Sequence, residues 1–69
     1  MIEFELQGVE FIELNKLLKI LRLVGSGGEA NMCIVEGDVL VNSAVELQKR
    51  KKLRAGDVVK FNGQSVCIK

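Results

Sequence analysis

The spacing of apolar residues changes period twice along this chain, and that change restricts the folds it can adopt. In residues 2–6, apolar Ile2, Phe4 and Leu6 alternate with Glu3 and Glu5, the period of two expected of a strand with one buried face. Gly8 punctuates the run. Leu14, Leu17, Leu18 and Leu21 then fall at i, i+3, i+4 and i+7, which predicts a helix over residues 14–24 with one leucine face, stopped by Gly25. Its opposite face carries Asn15, Lys16, Lys19 and Arg22. Ser26 stands three residues before Glu29, the spacing of a capping box, so a second helix is predicted over residues 27–36, with Ala30, Cys33 and Ile34 inward and Gly37 at its end.

After Gly37 the period returns to two. Residues 38–42 and 44–47 flank a turn at Asn42–Ser43, and residues 58–61 and 65–68 flank Asn62–Gly63, the best short-range signal for a hairpin. A two-residue turn there pairs Phe61 with Gln64 and Val59 with Val66, so Val59, Phe61, Val66 and Ile68 share one face. Val58, Lys60, Ser65 and Cys67 take the other. The expected class is α+β: two short helices packed on a small, mostly antiparallel twisted sheet. With 69 residues, 48% of them hydrophobic, and no linker or repeat, the expectation is one domain spanning residues 1–69.

Composition argues against catalysis. The chain has no His, Tyr or Trp, its two cysteines lack metal-ligand spacing, and no carboxylate pair stands in an acid/base arrangement. No enzyme activity, cofactor, metal or small-molecule substrate is expected. A ubiquitin-like sulfur carrier would need a terminal Gly-Gly, whereas this sequence closes on Ser65–Lys69. Cys33 and Cys67 are read as reduced, buried, small apolar residues in preference to a disulfide. The acidic, alternating N-terminus is the opposite of a basic signal-peptide start, and no apolar run reaches the ~20 residues of a membrane span. A cytoplasmic protein without membrane contact is expected.

The net charge of +1 conceals a polar distribution. Residues 1–13 hold Glu3, Glu5, Glu10 and Glu13 and no base, while the rest holds ten bases against five acids, a net of +5. Half of those bases lie at Lys49, Arg50, Lys51, Lys52 and Arg54, interrupted by Leu53. Such runs are commonly solvated loops, but Leu53 gives this one an anchor on the core. If the segment is extended and Leu53 faces inward, Arg50, Lys52 and Arg54 face outward as the better phosphate contacts. Lys49 and Lys51 take Leu53's side, on stems long enough to bend out. Lys16 and Lys19 supply a second basic surface. The small-residue corner at residues 25–28 either lets two helices pack closely or offers unpaired N–H groups to an anion. It is no nucleotide-binding loop, since no Gly-Lys-Ser/Thr follows.

Residues 13–19 (ELNKLLK), 26–30 (SGGEA), 34–42 (IVEGDVLVN), 45–53 (VELQKRKKL) and 56–59 (GDVV) together resemble the alpha-L RNA-binding motif first described in ribosomal protein S-four. They also resemble the short stand-alone bacterial members of that group, the YbcJ-like proteins. The resemblance implies two helices across a small sheet, with RNA held on the helix face and the neighbouring basic loop. By position it implies Lys16 and Lys19 on the first helix, Ser26, Gly27 and Asn31 at the second, and Arg50, Lys52 and Arg54 on the loop. The chain departs from the family at Gly27 and Asn31, where bases are common, at Asn42–Ser43, where Asn-Gly is favoured, and at Gln48, where Arg is. Helix 2 is thus nearly uncharged, which moves the expected affinity onto helix 1 and the loop.

The function expected from these residues is recognition of structured RNA, ribosomal or transfer RNA, by backbone and shape, with the protein a monomer. Phe4 and Phe61 belong to the core by pattern, so stacking on single-stranded bases has little support. The alternative is a protein-interaction adaptor, with the basic segment meeting an acidic partner and Met32 and Val35 forming apolar contacts.

Overall fold

Both predicted hairpins form, the first with strands shorter than the residues 38–42 and 44–47 expected. The computed structural model describes residues 1–69. It contains β1 (Ile2–Phe4), β2 (Ile12–Glu13), α1 (Leu14–Ile20), α2 (Gly27–Val35), β3 (Val39–Val41), β4 (Ala44–Val45), β5 (Lys52–Leu53), β6 (Val58–Phe61) and β7 (Gln64–Ile68). Five strands form one sheet in the order β1-β7-β6-β3-β4, and β2 and β5 form a separate ribbon. In the sheet β1 is parallel to β7, and every other pairing is antiparallel. The β6–β7 hairpin has the expected register, Phe61 opposite Gln64 and Val59 opposite Val66.

One face of the sheet, carrying Val39, Val41, Val59, Val66 and Ile68, is buried under Leu14, Leu17 and Leu18 of α1 and Ala30 and Ile34 of α2. Phe4 and Phe61 pack against this core from its edge. The architecture is the α+β arrangement expected: two helices on one face of a mostly antiparallel sheet.

Three local expectations need correction. Helix α1 ends at Ile20, not Val24. Arg22 adopts a left-handed backbone (φ 58°), its N–H donates to the Lys19 carbonyl (3.0 Å), and that of Leu23 donates to Leu18 (3.0 Å). These are the two bonds of a Schellman C-cap, closed without the glycine that the sequence signal relies on. Arg22 therefore leaves the helix face assigned to it. Secondly, β1 ends at Phe4 and not Leu6, although Leu6 N–H still donates to the Lys69 carbonyl (2.9 Å), and the chain then turns at Gln7 and Gly8, both with positive φ. Thirdly, both cysteines are free but only half-buried. Cys67 lies on the sheet face turned away from the helices, opposite Glu3 and Val58. Cys33 is near Asp38, Glu29 and Glu36; burial pushes its thiol pKa up and the three carboxylates add to the effect, so it stays protonated.

Candidate nucleic-acid interface

Leu53 is fully buried and pairs with Ile12 across the β2–β5 ribbon, while Glu13 pairs with Lys52. Strand alternation then turns Lys52 of β5 and Arg54, the residue after that strand, outward, and Glu13 of β2 and Phe11, the residue before that strand, lie beside them. The ring of Phe11 carries both cations: Lys52 Nζ lies 5.0 Å from its centroid and Arg54 Cζ 5.6 Å. Two carboxylates approach the same surface. Glu10 Oε2 is 3.9 Å from Arg54 Nη1, and Glu13 Oε1 is 3.5 Å from Lys16 Nζ. The cations stay accessible, with the Lys16 side chain 69% and that of Arg54 57% exposed.

The basic segment is fixed by its backbone. Glu13, at the N-cap of α1, makes no side-chain cap bond. Instead the N–H of Leu14 donates to the Lys51 carbonyl (2.9 Å), and that of Asn15 donates to the Lys49 carbonyl (3.0 Å). Two of the donors that a helix start leaves unpaired are thus met by the basic run itself, which brings Lys16 next to it. Lys51 N–H closes a turn onto the Gln48 carbonyl (3.2 Å), leaving Lys49 and Arg50 exposed at its tip.

Asp57 secures the far end of the segment. Its Oδ2 accepts from Arg54 N–H (2.8 Å), and its Oδ1 accepts from the Asn42 side-chain amide (3.0 Å). Asn42 Oδ1 in turn accepts from Val58 N–H (2.9 Å), which ties the first hairpin to the basic segment. Desolvation alone would raise the Asp57 pKa. The Arg54 N–H, the Asn42 amide and the charges of Lys51 and Arg54 outweigh it and hold the carboxyl below its ordinary value.

Helix α2 contributes differently. Ser26 Oγ accepts from Glu29 N–H (3.1 Å) and Glu29 Oε1 accepts from Gly25 N–H (2.7 Å), a capping box whose return arm reaches one residue further than usual. The N–H groups of Gly27 and Gly28 find no acceptor in the molecule. Asn31 Oδ1 accepts from Asn15 Nδ2 (3.1 Å), joining the two helices and leaving Asn15 Oδ1 buried without a partner.

Of the eight residues singled out in the sequence, Lys52 and Arg54 come together on Phe11, Lys16 stands beside Glu13, which pairs with Lys52, and Arg50 lies at the neighbouring turn. Lys19 is exposed one turn further along α1. Asn31 lies at the helix–helix contact. Ser26 caps α2 and Gly27 begins it, four residues before Asn31 and so about 6 Å from it along the helix axis. Met32 and Val35 are 60% and 52% exposed, with Val45 and Leu47 similarly open.

The sequence did not assign Phe11, Glu10, Glu13, Asn42 or Asp57 to this surface. A signal for the first was present: outward Phe11 and Glu13 bracket Ile12 as Lys52 and Arg54 bracket Leu53, a matched pair of short alternations. Only the pairing of two-residue strands reveals it.

Residues 4–69 match the S4 domain family. The chain is 44% identical over 68 residues to the "Putative RNA-binding protein YbcJ" of Escherichia coli (strain K12), covering 99% of this chain and 97% of that one. It is 39% identical over 54 residues to the "Probable ribosome maturation protein RlbA" of Bacillus subtilis (strain 168), covering 78% and 76%. The solution structure of E. coli YbcJ, described as revealing an alfaL motif involved in RNA-binding, superposes with a TM-score of 0.74 at 43% identity, over 99% of this chain and 86% of that chain. With sequence, helix pair and sheet all in agreement, the chain belongs to the S4 domain family.

Proposed function

We propose that this protein is a non-catalytic RNA-binding module that holds structured RNA by its phosphates, acting as a cytoplasmic monomer without membrane or small-molecule partners. The observation that carries the reading is the pair of Lys52 and Arg54 seated on Phe11, in a segment whose Lys49 and Lys51 carbonyls cap the helix that carries Lys16. Arg50 and Lys19 extend it, and the free N–H groups of Gly27 and Gly28, with the Ser26 hydroxyl, offer a further phosphate contact at the edge. Asn31 supports the surface by holding the helices together. No helix is long and apolar enough to cross a membrane. The RNA-binding name of the E. coli relative and the ribosome-maturation name of the B. subtilis relative favour ribosomal RNA over transfer RNA as the target.

Neutralising about four phosphates lowers affinity on the order of 100-fold between 50 and 200 mM salt. Fluorescence anisotropy with a labelled RNA stem–loop measures this; a flat salt response refutes electrostatic binding. Replacing Arg50, Lys52 and Arg54 together by Ala weakens binding while the fold is kept, with a loss in thermal unfolding of about 1–2 kcal/mol from two exposed cation–π contacts at about 0.5–1 kcal/mol each. A second reading, as a protein adaptor, draws on exposed Met32, Val35, Val45 and Leu47. Partners captured from cells separate the two: nuclease removes them if RNA is the bridge.

A further inference from the structure

We propose that Phe11 is a positioning residue of the RNA surface, holding Lys52 and Arg54 side by side so that they meet neighbouring phosphates of one strand. The inference rests on the RNA-binding reading above and adds to it a residue that makes no polar contact of its own.

Lys52 and Arg54 are two positions apart on an extended segment, so their backbones are about 6.7 Å apart. Free in solvent, such long side chains sample many rotamers, and ordering them opposes binding. Here both lie against one half-buried ring, at 5.0 and 5.6 Å from its centroid. The ring face attracts cations but accepts none of their N–H groups as a carboxylate would. All three Lys52 donors and the guanidinium fork of Arg54 therefore stay free for phosphate oxygens. The Glu10 carboxylate, at 3.9 Å from Arg54 Nη1, is too far for a hydrogen bond. The seat is fixed from below: Ile12 and Leu53, which follow Phe11 and precede Arg54, pair across the ribbon, and Leu53 is fully buried.

The test compares Phe11→Leu, Phe11→Tyr, Lys52→Ala and Arg54→Ala on a labelled RNA duplex and on one strand of it, across a range of salt. Phe11→Leu keeps an apolar side chain but removes the ring face. It is expected to weaken binding about three- to tenfold on both RNAs at low salt, with the salt slope unchanged, because the same phosphates are still neutralised. Phe11→Tyr restores affinity. Each Ala variant lowers the slope by about 0.9 on the duplex, since one phosphate contact is gone.

If Phe11→Leu binds as the parent does while the Ala variants lose slope, the positioning role is overturned and the RNA surface stands. If neither Ala variant changes the slope, the RNA reading itself fails. A loss confined to the single strand also overturns the proposal, because the ring is then a stacking seat for an unpaired base. Thermal unfolding guards against a trivial cause: binding lost in proportion to folded protein refutes positioning.

Discussion

Two carboxylates on the cationic surface compete with any phosphate that approaches it, and removing their charge should tighten RNA binding while loosening the fold. The variant is the double substitution Glu10→Gln and Glu13→Gln, which keeps shape and removes two negative charges. The pairs concerned are Glu10–Arg54 at 3.9 Å and Glu13–Lys16 at 3.5 Å. At about 4 Å in water two unit charges attract by about 1 kcal/mol. Screening and side-chain entropy reduce exposed pairs of this kind to about 0.2–1 kcal/mol each. Releasing both cations therefore returns roughly 0.4–2 kcal/mol to the complex, about a 2- to 30-fold gain in affinity. The gain should shrink as the salt concentration rises, because the screening length is about 10 Å at 0.1 M.

Stability should move the other way. Glu13 is the N-cap residue of α1, where the helix has no other acid in its first turn. A negative charge at a helix start contributes about 0.3–1 kcal/mol, and for a domain of this size that corresponds to a drop of roughly 2–8 °C in Tm. Anisotropy at low and moderate salt gives the first quantity, and a circular-dichroism melt gives the second. A folded double variant that binds RNA no more tightly at low salt would refute the reasoning, since the cations would not then be the phosphate contacts.

Two further predictions concern the first hairpin and the Asp57 turn. Asn42 and Ser43 both have positive φ (51° and 71°) in the two-residue turn between β3 and β4, matching Asn62 and Gly63 (53° and 78°) in the second hairpin. Ser43→Gly should remove about 1–2 kcal/mol of left-handed backbone cost at the expense of some unfolded-state entropy, a net gain of about 0.5–1 kcal/mol in urea unfolding; no gain would mean the turn carries no strain. The folded-state pKa of Asp57 is lowered from 3.8, so its contribution is fully present above that value and is lost as pH falls through the lower folded-state pKa. Asp57→Asn should therefore be less stable than the parent near neutral pH, with the gap closing in acid below 3.8, and a gap independent of pH would contradict the assignment.

The hairpin register, the leucine face of α1 and the capping box of α2 were all legible because each rests on residues close together in sequence. Leu53 facing inward was legible too, as an apolar residue among cations. The β2–β5 ribbon was not. It has two residues per strand and joins positions about forty apart, so neither period nor turn chemistry announces it. Phe11 went unread for the same reason, since its partners, Lys52 and Arg54, lie across that ribbon. The early end of α1 escaped because Arg22 adopts the left-handed conformation usually left to glycine, and the visible glycine, Gly25, stood three residues later. Glu10 and Glu13 were legible as an acidic N-terminal tract, but not as neighbours of the basic surface.

The first helix is started by the carbonyls of Lys49 and Lys51, and a carbonyl belongs to every amino acid. The scaffolding of this segment is thus largely indifferent to which side chains it displays. Its outward positions can trade one base for another, or lose charge altogether, without unmooring the helix behind them. A lineage with this arrangement is free to retune its grip on one nucleic acid or another while the framework stays put.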